Sequence, residues 1–367
     1  MVVYLLLIFC SVLLISFQDS IIYRSKSLRN TIFFSFVLLL FLLTILRSQS
    51  VGTDYQAYNG YFYSSSFDLK NQYIENGYIL LNEFAQKIGI FLIIPAFEFI
   101  VSFFGMYELS KTFKTNSFAF LGFYILTYVY MQSFNALRQF IAIGFVSFGC
   151  AFLAGKTKSK YLYFIIFVLI AYEFHSSSLL MLFLPLMSRI HVTKWLACIS
   201  MILTSLLFFT GLGFKITQPI IGLDNHYAIK YGQDTTFLSA TGSKGIIQFI
   251  PVIIQFMLLI WYLCLQNDTK IIPNNSGSVL SKSQINFIIT GYLVFLILYA
   301  AGGNGVIDRI QFFFFPFVII VNAVFWKIDQ SSLKVMTFKS TLLLFWVFYC
   351  ILRLIINNAN VVPYVFN

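Results

Sequence analysis

Four polar clusters in a largely apolar chain carry side chains able to hold an anion or move a proton. The first to consider is Phe134-Asn135-Ala136-Leu137-Arg138-Gln139, which opens the apolar run from Phe140 to Ala154. On a helix Asn135, Arg138 and Gln139 stand at i, i+3 and i+4, so their side chains share one face. An arginine there cannot face lipid cheaply; it snorkels to the interface or faces protein, water or an anionic ligand. The other clusters are Arg47 with Asp54, Glu173 with His175, and Asp308 with Arg309. The planar guanidinium makes paired hydrogen bonds to phosphate oxygens and keeps its proton, so Arg47, Arg138 and Arg309 are suited to a diphosphate. His175, Asp54 and Glu173 are groups that can accept a proton.

Each cluster also has a plainer structural reading. Arg47 could be an interfacial anchor ending a helix, and Asp54 in Gly52-Thr53-Asp54-Tyr55 a turn or cap residue. His175, followed by Ser176–Ser178, could be a satisfied histidine ahead of a helix N-cap. Asp308 and Arg309 could be an ion pair fixing a turn. Glu98, one acid in an apolar run, could join two helices or point into a cavity. His226 reads as a solvated loop residue.

The elements that must position these groups are membrane helices. Hydrophobic residues make up 59% of the 367 and charged residues only 10%, with a mean hydropathy of +0.84. Repeated apolar runs of about 20 residues with so little charge define a polytopic membrane protein and exclude a soluble domain of this length. The class is all-α, one membrane domain over residues 1–367. About 12 transmembrane or part-spanning helices are expected, near 2–17, 31–46, 90–109, 117–133, 137–154, 161–174, 176–188, 195–213, 246–265, 285–301, 306–326 and 341–356. Met1 to Ser16 has no basic region before it, whereas Arg24, Lys26 and Arg29 follow it, so it reads as a retained first helix. The five cysteines are scattered singly, without metal or disulfide spacing, and no metal, cofactor or nucleic-acid partner is expected.

Charge sorts the connecting segments. Fifteen of the 24 Lys and Arg residues fall in one alternating set of loops with only four acids, Asp19, Glu108, Asp268 and Asp329. The other face balances, so the whole net charge of +11 lies on one side. By the positive-inside rule that side is cytoplasmic, and both termini are expected outside. The same rule favours a hairpin over one long helix between Tyr161 and Ile190, because both flanking basic clusters then stay inside. Its arms of about 13 residues reach only near 20 Å, so the Glu173–Ser178 turn is expected below the outer surface, in a cavity lined by protein and water. Residues 47–89 and 214–245 form two longer outer segments, able to cover that cavity as lids or to be mobile loops.

The order Arg47-x4-Gly52-Thr53-Asp54-Tyr55-x2-Tyr58, then Asn135-x2-Arg138-Gln139-x2-Ala142, then His175-Ser176-Ser177 resembles the EpsG family of Wzy-like polysaccharide polymerases. Asp308 and Arg309 also look like the arginine-bearing start of a late helix in that family. The resemblance runs from the first helix to the last. It implies a GT-C-like fold in the inner membrane of a bacterium, with the active site facing outside. The implied activity moves a growing glycan from undecaprenyl diphosphate to the non-reducing end of a lipid-linked repeat unit. Arg138 would then stabilise the leaving diphosphate, with Arg47 and Arg309 assisting, and Asp54 or His175 would be the base, with Glu173 third. Tyr55, Asn135 and Gln139 would line the substrate site. A flippase and a chain-length regulator are the implied pathway partners. The rival readings are a glycan ligase using the same carrier, a lipid-linked oligosaccharide flippase or other transporter, and a membrane O-acyltransferase. Clustering of the unusual polar groups on the outer side counts against a transporter.

Overall fold

The computed structural model describes residues 1–17, 25–211, 246–268, 280–301, 305–328 and 332–366. The expected outer segment 214–245, with His226, and residues Gly302–Asn304 of the late turn lie outside the described residues. In chain order the helices are α1 (Val2–Ser16), α2 (Lys26–Ile45), α3 (Tyr55–Phe62), α4 (Ser66–Asn71), α5 (Asn76–Ile88) and α6 (Ile93–Thr112). They continue with α7 (Ser117–Leu126), α8 (Val129–Ser133), α9 (Leu137–Ala154), α10 (Lys160–Tyr172), α11 (Leu184–Met187) and α12 (Lys194–Thr210). The last are α13 (Ile246–Asp268), α14 (Lys282–Ala301), α15 (Gly305–Phe312), α16 (Phe315–Trp326) and α17 (Leu333–Ile355). A 3₁₀ helix, Ser176–Phe183, precedes α11. Among the described residues the extended pairing is a single bridge, Arg47 with Phe366.

Six helices (α2, α6, α9, α13, α14 and α17) are long and apolar enough to cross a membrane. Six further apolar helices run only 10–17 residues. At 1.5 Å per residue these shorter helices fall short of a hydrocarbon core of about 30 Å. Six of the twelve expected spans thus correspond to helices of full crossing length, and the others do not reach it.

The chain forms two compact units, Met1–Leu182 with Asn322–Lys327 and Leu343–Asn367, and Phe183–Val321 with Ile328–Leu342. In the first, α6 and α9 approach so closely that a Cβ on Gly105 would meet the Gly144 carbonyl oxygen at 2.2 Å. A Cβ on Gly144 would meet the Val101 carbonyl at 2.4 Å. Small residues suit such contacts because lipid is as apolar as leucine, and association then comes from close packing. Helices α9 and α10 run antiparallel, since Phe145 stacks on Phe174 at one end and Phe152 meets Tyr163 at the other. Polar side chains in these helices are satisfied locally: Ser11, Thr44 and Ser147 each donate to the carbonyl four residues earlier. In the second unit Tyr292 donates to Gln255 at 3.1 Å, and Trp261 packs edge-on against Phe338.

Several boundaries depart from the periodicity. The span expected at 117–133 breaks at Tyr128, which adopts φ +68°. Its hydroxyl donates to the Asn358 carbonyl, so the C-terminal tail is fastened to this break. The span expected at 306–326 turns at Phe313–Phe314, between α15 and α16. Residues 176–188 form the 3₁₀ helix and α11. Ser178 donates to the Val168 carbonyl ten residues back at 3.4 Å, a contact a continuous helix would place about 15 Å away, so the chain reverses here as expected. Residues 47–89 hold three short helices. Ser65 caps α4 through the Asp68 amide, and α5 buries Tyr78, Ile79, Asn82 and Ala85 along one face. Asn82 and Gln86 of α5 donate to the Tyr61 and Phe62 carbonyls at 2.8 and 2.6 Å, fastening α5 to α3.

Candidate active site

The antiparallel run of α9 and α10 brings the start of one to the end of the other. Arg138 lies in the first turn of α9, and His175 follows α10. Between them reaches Glu75, the residue ahead of α5. Arg138 Nη1 donates to Glu75 Oε2. Glu75 Oε1 faces His175 Nδ1 at 3.3 Å and accepts from the Ser176 amide at 3.3 Å. One carboxylate therefore joins the arginine and the histidine. The side chains are 12%, 16% and 7% exposed for Arg138, Glu75 and His175, so the triad is sheltered yet reachable.

The electrostatics favour an ionised carboxylate. Burial alone would raise the Glu75 carboxyl, but the Arg138 charge and the His175 contact outweigh it and hold the group at about 2. An ionised carboxylate only accepts hydrogen bonds, so His175 Nδ1 donates to it, and in the neutral ring this tautomer puts the lone pair on Nε2. Tyr78 places its ring 5.9 Å from the Arg138 guanidinium, and its own hydroxyl is buried without a hydrogen-bond partner. Tyr58 and Tyr61 complete an aromatic wall against Tyr78.

A second cluster surrounds Arg47, which is fully buried. Its guanidinium donates to the Thr44 and Phe134 carbonyls at 2.8 and 3.4 Å and lies 4.0 Å from the Tyr55 ring and 4.4 Å from that of Phe134. Asn135 ties three segments together. Its Oδ1 accepts from the Thr53 amide at 2.7 Å, and its Nδ2 donates to the Ala359 carbonyl at 3.0 Å. Gly52, at φ +103°, donates its amide to Asn360; a Cβ there would meet Asn135 Oδ1 at 2.8 Å. The tail is pinned further by Tyr4 to Val361, Ser48 to Val365 and Tyr364 to Leu43.

The sequence candidates therefore separate. Arg138 and His175 come together; Arg47, Tyr55 and Asn135 form the adjoining cluster. Gln139 is buried on α9 one residue beyond Arg138. Asp54 is exposed at the start of α3, and the Glu173 side chain is exposed while its carbonyl accepts from the Gly77 amide at 2.7 Å. Glu98 is fully buried in α6 and accepts from Ser102 at 3.0 Å. Arg309 is half-buried on α15, in the second unit. Glu75 escaped the sequence reading because it lies in a segment of mixed charge. The available signal was Glu75-Asn76-Gly77 directly before an amphipathic run, a place where an acid at a helix start can reach a neighbour.

With this geometry in place, the comparison with protein families is decisive: the EpsG family model matches residues 30–366. The chain belongs to the EpsG family. Its members are membrane proteins of the polysaccharide-polymerase type, which agrees with the apolar helices here and with a lipid-linked glycan as the class of substrate. Comparison with curated proteins and with solved structures returns no match. In this EpsG-family chain the matched region contains all nine residues singled out for catalysis or binding, from Arg47 to Arg309, and also Glu75.

Proposed function

We propose that this protein is a glycosyltransferase that polymerises repeat units carried on undecaprenyl diphosphate at the outer face of the cytoplasmic membrane. The observation that carries the reading is the sheltered pairing of Arg138 and His175 around one carboxylate, within a chain of this family. Arg138 binds the diphosphate of the donor and stabilises the charge that grows as the glycosyl carbon–oxygen bond breaks. The acceptor is the non-reducing-end hydroxyl of the next lipid-linked unit. His175 Nε2 takes its proton as the hydroxyl oxygen bonds to the anomeric carbon, and the lipid diphosphate leaves with the bonding pair. Asp54, exposed at the head of α3, is the second candidate base. Arg47, with its guanidinium committed to two backbone carbonyls and two rings, orders the loop that carries Asp54.

The positive-inside charge distribution supports an outward-facing site, and sheltered polar groups in the first unit suit lipid-borne anions. Purified protein incubated with lipid-linked repeat units tests the proposal. A ladder of products supports polymerisation; one transfer to a different acceptor indicates a ligase. Lipid translocation without bond formation would refute the enzyme assignment.

A further inference from the structure

We propose that Glu75 is a displaceable internal anion, which occupies Arg138 in the resting protein and yields it to the diphosphate of the donor while keeping hold of His175. The inference rests on the reading of Arg138 as the diphosphate ligand.

Three observations lead to it. First, the two carboxylate oxygens are divided between two partners: Oε2 on Arg138, Oε1 on His175 and the Ser176 amide. Losing one partner therefore leaves the other contacts intact. Second, Glu75 stands at the N-cap of α5 but makes no side-chain cap hydrogen bond. The short polar side chains usual at that position turn back onto the first amides of their own helix. Here the Glu173 carbonyl takes the Gly77 amide at 2.7 Å. It sits so close that a Cβ on Gly77 would meet it at 2.6 Å. Backbone from the α10 turn thus replaces the cap, and the carboxylate projects to Arg138 and His175 instead.

Third, the neighbourhood holds more donors than Glu75 satisfies. Arg138 Nε, Tyr78 Oη and Ser177 Oγ are all buried without a hydrogen-bond partner. Buried donors left unpaired are costly, and a diphosphate brings many more acceptor oxygens than one carboxylate. Glu75 engages the guanidinium through Nη1 and Tyr58 adds a further side-chain hydrogen bond, yet Nε is left over from a fork that can hold a phosphate with two parallel hydrogen bonds. Exchange of one anion for another keeps Arg138 neutralised at each stage, so the site never exposes an uncompensated buried cation. The carboxylate left behind fixes the imidazole through Nδ1. Glu75 is accordingly a positioning residue for His175 and a competitor for Arg138.

The two roles predict opposite effects in one variant. Purified full-length wild type, Glu75→Gln and Arg138→Ala are titrated with inorganic pyrophosphate in detergent, and turnover is measured with lipid-linked repeat units. Removing the competing charge is expected to tighten pyrophosphate binding about tenfold or more in Glu75→Gln, and Arg138→Ala to abolish it. In turnover Glu75→Gln is expected to lower KM for the donor and lower kcat at least about tenfold, because the imidazole loses its anionic partner. A merely structural Glu75 would instead raise KM or leave it unchanged. Glu75→Asp, which keeps the charge but withdraws it from Arg138, is expected to tighten binding as well and serves if Glu75→Gln does not fold. Pyrophosphate binding that depends on Arg138 but is unchanged or weakened in both Glu75 variants overturns the displacement proposal alone. Pyrophosphate binding that ignores Arg138 overturns the diphosphate reading on which it rests.

Discussion

Replacing Glu75 by glutamine removes one negative charge from a sheltered site while preserving shape, and the structure sets the size of the effect. The carboxyl is held at about 2 against a usual 4.5, despite burial that acts the other way. At about 1.4 kcal/mol per pKa unit this corresponds to roughly 3 kcal/mol of folding stability at neutral pH. That magnitude sits at the lower end of the range of about 3–5 kcal/mol for breaking a buried pair from one side. The sign follows from linkage. A depressed carboxyl stabilises the fold fully above its unfolded value near 4.5, and the contribution is lost as pH falls toward about 2. Wild type is therefore expected to melt about 6 °C above Glu75→Gln near pH 7, taking roughly 2 °C per kcal/mol for a chain of this size. The difference is expected to narrow below pH 4.5 and to close near pH 2. Thermal melts of purified protein in one detergent, followed by intrinsic fluorescence across that pH series, measure it. Equal melting temperatures at pH 7, or a gap that stays constant down to pH 2, would refute the ion-pair argument.

Four further outcomes are expected. Arg138→Ala and His175→Ala should each remain inserted but lose polymer, with a fall in turnover of about 10²–10³ and accumulation of single lipid-linked units; normal-length polymer from Arg138→Ala would remove it from the site. Gly144→Val should abolish folded protein in detergent, because a Cβ there already meets the Val101 backbone at 2.4 Å, and overpacking against backbone costs about 3 kcal/mol or more; undiminished yield of monodisperse protein would contradict the close approach. Asn135→Leu strands the Thr53 amide and the Ala359 carbonyl, at a cost of about 2–4 kcal/mol in stability; proteolysis that leaves the Gly52–Asp54 loop as protected as in wild type would show that Asn135 does not hold it. Accessibility tags at Lys158 and Asp224 should report opposite sides of the membrane, and labelling of both from one side would overturn the topology.

Composition alone decides that this is a membrane protein, because backbone and charge cannot enter lipid without helices and few polar groups. The apolar run and its following glycine define α9 at Leu137–Ala154, the same limits in sequence and structure. The spacing of Asn135, Arg138 and Gln139 predicts one shared helical face, but α9 begins at Leu137, so Asn135 lies off the helix and bonds Thr53 and Ala359 while Arg138 reaches Glu75; reversal of the chain after α10 follows from the charge of its flanks. Tertiary structure decides who meets whom. Glu75 lies 63 residues from Arg138 and 100 from His175, and no local period relates them. The break at Tyr128 likewise finds its hydrogen-bond partner at a distance, the Asn358 carbonyl 230 residues away. Asn135 and Arg47 are both met by a tail that follows the last helix and binds back to Tyr4, Leu43, Ser48 and Gly52. Local periodicity records which faces are apolar, whereas a polar partner across the fold is chosen by packing. Arg138 was visible as a charge in need of a partner; only the folded chain supplies Glu75.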